Sequence, residues 1–534
     1  MRIVGFLNGS IYVSFKPMRK VNAMVIAGDR VLYIGDNAKA RSIVNSLNGE
    51  IVDLDGKTVL PGFIDSHMHL DSLGIYLNML DLRGVRSIDE LKNRLREYSN
   101  RARTSWIIGH GWDHELFEER RWPSRYDIDE VVSDKPVILT RICLHAGVLN
   151  TKALEQTSLI HSNLKDVERD EQGRPTGIVK EKALEIAKER FKEILGIGDY
   201  EKILEDAIKY ALSQGVTTLG FMSCDLKSLN ALFRLRHRGK LKARIRVYLT
   251  PGIGKSSETA LYDTGLIDML IKLGIKTGFG DDYLKIMGVK ILADGSLGAR
   301  TAWLSDPYSD DPSTHGYPNI ERDVLKKVAR EVHHAGLQLA IHGIGDKTID
   351  MILETYSELD DVERYRHRIE HASLLRDDQL VKISRIGIAI SVQPHFVISD
   401  WWAKRRVGEK RVKWLYRFKS IMSMKIPIGL STDSPVEPLN PWETIYAAVT
   451  RGKYDSVEYY RDTKDECIGL EDALYAYTYG SAYILHEERE LGSLEPGKLA
   501  DFVVVDKDPF SVCERELKDV KVLETYVSGI KVWP

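Results

Sequence analysis

His67-Met68-His69 stands directly after an apolar run, VLPGFID at 59–65, whose last residue is Asp65. In extended chain, residues i and i+2 point to the same side, so both imidazoles can reach one metal ion. The doublet alone is a weak signal, because a metal site needs three or four side-chain ligands. Further candidates are scattered along the chain: Lys290 in VKILADGSLG, His342 in AIHGIGD, His371 in RIEHA and Asp433 in GLSTDSPV. Each lies at or near the end of an apolar run. If those ends converge, four imidazoles, a lysine and a carboxylate share one mouth. That donor set suits divalent cations, and a cation there turns water into a nucleophile at neutral pH.

The elements that must position these residues are eight strand-like runs at 59–65, 216–222, 244–250, 284–292, 337–343, 366–372, 387–394 and 426–433. They alternate with helical segments such as YEKILEDAIKYALSQG and ERDVLKKVAREVHHAG, which predicts βα units and a parallel sheet. Eight such strands predict an α/β fold of the TIM (β/α)8 type, with chemistry at the C-terminal strand ends. The barrel is assigned to 59–486. Residues 72–200 are too long for one crossover and hold strand-like runs of their own, SWIIGHGWD and PVILTRICLH, so they are expected to form an inserted subdomain over the barrel mouth. Residues 1–58 and 487–534 both show short strands punctuated by Gly, Asn and Asp. Together they are expected to build a small β-sandwich domain from both termini.

Asp294 and Arg300, in ADGSLGARTAW, follow the fourth strand and are candidates for binding a polar substrate group, with a salt bridge as the equal alternative. His333 and His334 end a helical segment, where a cation suits the helix dipole, and are assigned a structural role. His367 lies four residues before His371, but RHRIEHA has the character of a strand end, which makes His371 the better ligand.

Composition excludes several classes. Lys plus Arg number 76 against 78 Asp plus Glu, a net charge of −2, without the basic excess that nucleic acid or an anionic membrane favours. With 43% hydrophobic and 29% charged residues the chain is expected to be globular. No run approaches a membrane helix, and Asn8 and Ser10 interrupt the only N-terminal apolar stretch, so a cytoplasmic location is expected. Cys143, Cys224, Cys467 and Cys513 are widely spaced, which suggests reduced thiols. No phosphate-binding glycine motif is present. A small-molecule partner is expected, and a homo-oligomer is left open.

PGFIDSHMH, VKILADGSLG, AIHGIGD, RIEHA and GLSTDSPV resemble the signature segments of the amidohydrolase superfamily. The resemblance is greatest to its amidohydrolase-3 branch, which includes N-substituted formamide deformylases, and it runs from about residue 20 to 510, taking in EPGKLADFVVVD. It implies a distorted barrel with two divalent metals, zinc above all. His67 and His69 with Asp433 would hold the more buried metal, and His342 and His371 the other. Lys290, carboxylated by carbon dioxide, would bridge them as a carbamate. A metal-bound hydroxide would attack, with Asp433 as general base and then acid, cleaving a C–N bond of a small amide or N-formyl-type substrate. Trp112 and His145 resemble positions that line the substrate cavity. Two alternatives remain at this stage: a mononuclear zinc deaminase, which usually lacks the lysine ligand, and a metal-binding scaffold without turnover.

Overall fold

The computed structural model describes residues 1–141, 146–251 and 265–534, which form two compact units. The first comprises Met1–Leu70, Ile208–Leu229 and Arg236–Pro534, and the second Asp71–Ala207 with Asn230–Leu235.

Within the first unit, eight parallel strands run in sequential spatial order. They are β1 Phe63–Met68, β2 Val216–Cys224, β3 Arg244–Leu249, β4 Leu284–Leu292, β5 Gln338–Gly343, β6 Arg368–His371, β7 Ala389–Val392 and β8 Ile428–Leu430. Runs such as VTTLGFM and GIAISV lack polar alternation because both faces of a parallel barrel are covered, and β1, β3, β6, β7 and β8 are buried along their whole lengths. The outer helices supply that cover. Arg322–His334 buries Leu325, Val328, Ala329 and Val332, an i, i+3, i+4, i+7 stripe facing the sheet. Gly288 in β4 permits close approach of β5, since a Cβ there would lie 1.9 Å from the Gln338 carbonyl oxygen.

The distortion lies at the seam. Among the described residues β8 and β1 share no ladder of paired strand residues. Closure instead uses the segments just beyond the strands: Asp433 N–H donates to His67 O at 2.8 Å and His69 N–H to Ser434 O at 2.8 Å. The Asp65 carboxylate adds bonds from Thr432 Oγ1 at 2.6 Å and Thr432 N at 3.3 Å. Burial pushes the Asp65 carboxyl up to about 7, against the pull of the Thr432 and His67 donors.

Both termini build two further sheets in the same unit. A four-stranded sheet orders Arg30–Gly35, Ala23–Ala27, Ile3–Leu7 and Glu50–Asp53, and a six-stranded sheet orders Ile530–Trp533, Val522–Val527, Phe502–Val505, Thr58–Pro61, Ser10–Phe15 and Met18–Val21. Phe6, Met24 and Ile26 of the first share a core with Val59, Phe502, Val504 and Tyr526 of the second. The single run expected at 59–65 is therefore two strands. Thr58–Pro61 pairs with Phe502–Val505 in the terminal domain, and only Phe63–Met68 enters the barrel.

The second unit, spliced between β1 and β2, has its own six-stranded sheet, ordered Val167–Arg169, Pro175–Lys180, Ala146–Leu149, Val137–Arg141, Ile107–Trp112 and Met79–Asp81. It extends to Ala207, beyond the expected edge at 200, because the helix Ile197–Ser213 serves it along most of its length. Among the described residues, no helix is long and apolar enough to cross a membrane, and Cys467 and Cys513 are free thiols.

Candidate metal centre

The C-terminal strand ends deliver the expected residues to one place. His67 lies in β1 and His69 just past it, Lys290 in β4, His342 in β5, His371 at the end of β6 and Asp433 three residues beyond β8. His371 and Asp433 adopt left-handed backbone conformations, with φ of 73° and 59°. Such a conformation costs a non-glycine residue about 1–3 kcal/mol and turns the side chain off the strand's alternation, here toward the mouth.

Asp433 Oδ1 is 3.2 Å from His67 Nε2 and 3.1 Å from His69 Nε2. The three ligand atoms lie within 4.8 Å of one another. His67 Nδ1 meets the Glu370 carboxylate at 2.5 Å, and His69 Nδ1 meets the Met222 carbonyl at 3.2 Å. Both of those partners can only accept, so each Nδ1 carries the proton and each Nε2 presents a lone pair. Asp433 Oδ1, although buried, receives no hydrogen bond. Asp433 Oδ1 thus faces two imidazole lone pairs, with Lys290 Nζ, 3.4 Å from His67 Nε2, as the nearest cation, an arrangement that a divalent ion would relieve. The donor set fits a divalent metal on these grounds alone.

The remaining histidines are prepared in the same way. His371 Nδ1 donates to Gln393 Oε1 at 2.8 Å, and Gln393 Nε2 donates to Ser431 Oγ at 2.9 Å, which fixes the amide's orientation and leaves His371 Nε2 as the free lone pair. His342 is reversed. Its Nε2 donates to the Gly295 carbonyl at 3.0 Å, so Nδ1 is the free donor atom. The His371 ring lies 4.8 Å from that of His67 and 4.4 Å from that of His342, centroid to centroid. Lys290 Nζ is 3.4 Å from His67 Nε2.

The electrostatics suit a cation. Burial pushes the His67 and His371 imidazoles down, His371 far down, so both are neutral ligands at pH 7. Burial likewise lowers Lys290 to about 8. Glu370 is held down, its burial overcome by the Arg368 guanidinium, which grips it through Nε–Oε1 at 2.7 Å and Nη2–Oε2 at 2.8 Å.

The expected substrate contacts fare differently. The Asp294 carboxylate accepts from Trp303 N, Ile344 N, Gly345 N and Thr348 Oγ1 at 2.8–3.1 Å, tying the β4 loop to the start of the helix after β5. Arg300 pairs with Asp310 at 2.9 Å and is one-third exposed. Trp112 is fully buried in the core of the inserted unit, with its indole N–H donated to Leu139 O at 2.9 Å. His145 lies outside the described residues. Sequence reasoning passed over Glu370 and Arg368. Their signal was present: two opposite charges at i, i+2 in an otherwise apolar strand share one face, and in a barrel that face is the interior. Gln393, the penultimate residue of the expected β7 run, gave no such signal.

Comparison with known proteins agrees with this architecture. The amidohydrolase family profile matches residues 50–532. A metal-dependent hydrolase from Pyrococcus horikoshii OT3, known from its crystal structure, is 44% identical, covers 96% of this chain and 99% of its own, and superposes with a TM-score of 0.83. The Arabidopsis thaliana protein LONG AFTER FAR-RED 3 is 32% identical across 99% of this chain and 91% of its own length. The N-substituted formamide deformylase of Arthrobacter pascens is 25% identical across 99% of this chain and 98% of its own. With its eight-stranded barrel and a mouth of unpaired histidine and carboxylate lone pairs, the chain belongs to the amidohydrolase family of metal-dependent hydrolases.

Proposed function

We propose that the chain hydrolyses a C–N bond of a small-molecule amide or N-formyl-type amide, using two divalent metals, zinc in the first instance. The observation that carries this reading is the orphaned, buried Asp433 Oδ1 facing the Nε2 lone pairs of His67 and His69. His67, His69 and Asp433 would hold one ion and His342 and His371 the second, with Lys290 between them. The similarity to the deformylase of Arthrobacter pascens along nearly the whole chain favours the amide class.

Charge arithmetic favours a modified Lys290. The buried mouth carries Lys290 and Arg368 as cations against Glu370, Asp433 and Asp294 as anions, so it is already close to neutral without metal. Two divalent cations would leave a large uncompensated charge, and an ammonium beside them would be repelled. A carbamate reverses the sign at that position and offers two anionic oxygens. It forms only from the neutral amine, which burial makes accessible near pH 8.

Bound divalent metal supplies Lewis acidity here, lowering the pKa of water to about 7 and polarising the scissile carbonyl. The chain's own contribution is proton handling. Asp433, ionised at neutral pH, takes the proton of the attacking water. It then passes that proton to the leaving nitrogen.

The test is elemental analysis of protein purified without chelator, alongside Lys290→Ala and a turnover screen of amides and N-substituted formamides. Two metals per chain, falling to one or none in the variant, with turnover in the screen, is the expected result. One metal unaffected by the substitution would transfer the assignment to a mononuclear deaminase-like site. No metal and no turnover would reject the catalytic reading.

A further inference from the structure

Beneath the metal centre, the barrel interior holds a continuous polar column made almost entirely of fully buried side chains. His67 Nδ1 donates to Glu370 Oε2 at 2.5 Å, and both Glu370 oxygens receive Arg368. Arg368 has further donors in use. Its Nη2 reaches the carbonyl of Ser66, the residue preceding His67, at 2.9 Å, and its Nη1 reaches Tyr248 Oη at 3.1 Å. Tyr248 Oη donates to Gln338 Oε1, and Gln338 Nε2 donates to the Ile484 carbonyl at 3.0 Å. Arg368, Glu370, Tyr248 and Gln338 are all 0% exposed.

A buried ion pair is a poor way to stabilise a core, because desolvating two charges offsets most of their attraction, and apolar residues of similar volume often serve as well or better. This pair is instead distinguished by what it holds. Arg368 grips both the Glu370 carboxylate and the backbone of the strand that bears His67, so the carboxylate and the imidazole it bonds are referenced to one rigid group. Ionised Glu370 can only accept, which forbids the tautomer that would aim a proton from Nε2 at the cation, and it makes Nε2 more electron-rich.

We propose that Glu370 is a positioning residue for His67, clamped by Arg368, and that the pair sets the affinity of the metal held by His67, His69 and Asp433. This rests on the metal-centre reading above and deepens it.

The experiment measures zinc affinity rather than turnover. Full-length wild type, Glu370→Gln and the double variant Arg368→Met/Glu370→Gln are stripped, refilled with zinc alone, and titrated against a chromophoric chelator well below their melting temperatures. Near-ultraviolet circular dichroism checks that each is folded. Glu370→Gln leaves Arg368 buried without its counter-charge, so where that variant fails to fold the double variant decides, since it buries no unpaired charge. The expected result is a tightest zinc site weakened about 10–100-fold in the folded variants. Zinc held with wild-type affinity by a folded variant would overturn the inference and leave the pair as a core salt bridge. A wild type that binds no zinc would overturn the metal-centre reading as well, and the inference with it.

Discussion

Strand β6 has a histidine at each end, His367 just before it and His371 as its last residue. Both are buried, and both have neighbours rich in other histidines. At the N-terminal end, His367 Nδ1 accepts the Leu339 N–H at 3.0 Å, and Nε2 donates to His333 Nδ1 at 3.0 Å. The ring is stacked between Tyr356 and Tyr365, at 5.4 and 5.5 Å. Every donor and acceptor on that imidazole is consumed. At the C-terminal end, His371 spends Nδ1 on Gln393 and leaves Nε2 open toward the other ligands. Two clusters of similar composition on one barrel therefore have different capacities, and the difference is a spare lone pair. Histidine density alone does not mark a metal site.

Substitutions at the two ends should separate them. The largest effect is expected from Asp433→Ala, which removes the carboxylate at the ligand corner and the proton carrier. Against an amide found by the turnover screen, kcat/KM should fall about 10²–10⁴-fold or more, and an active variant would remove Asp433 from the chemistry.

Next comes acid sensitivity. Burial lowers His367 to about 3 from an ordinary 6.5, so the folded state resists taking a proton that the unfolded chain accepts readily. Its stability contribution is complete above pH 6.5 and is lost as pH falls toward 3, a linkage worth up to ~5 kcal/mol. Melting temperatures across that range should fall more steeply for wild type than for His367→Gln, and parallel profiles would show that His367 is not the sensor.

The smallest effect is expected from His333→Ala, which deprives His367 Nε2–H of its acceptor. A cost of about 1–3 kcal/mol in urea denaturation, with metal content unchanged, keeps the two ends independent. Metal loss in that variant would break the comparison.

Much of this was legible in the sequence. Apolar runs long enough to cross a barrel wall announced the eight strands, and because chemistry collects where such strands stop, the residues at their ends are the ones gathered at the mouth. Other features depend on partners far away in the chain. Nothing local shows that Thr58–Pro61 pairs with Phe502–Val505 while its continuation turns into the barrel. Asp294 has the residue type and position of a substrate contact, yet four donors from the β4 loop and the segment after β5 claim it. Trp112 is decided in the same manner by the core around it. Residue type marks a capacity, and only the fold's accounting of donors and acceptors shows whether the capacity is already spent.

The seam between β1 and β8 carries a consequence for biosynthesis. Asp65 and Thr432, whose contact closes the barrel beside the ligands, are 367 residues apart. At roughly 5–20 residues per second, the ribosome takes about 20–70 s to travel between them. Throughout that interval the nascent chain carries His67 and His69 with no Asp433 carboxylate to complete their corner. The His67–His69–Asp433 corner therefore waits for the last barrel strand, so a chain that stalls or is cut short before Asp433 emerges lacks that corner as well as a closed barrel.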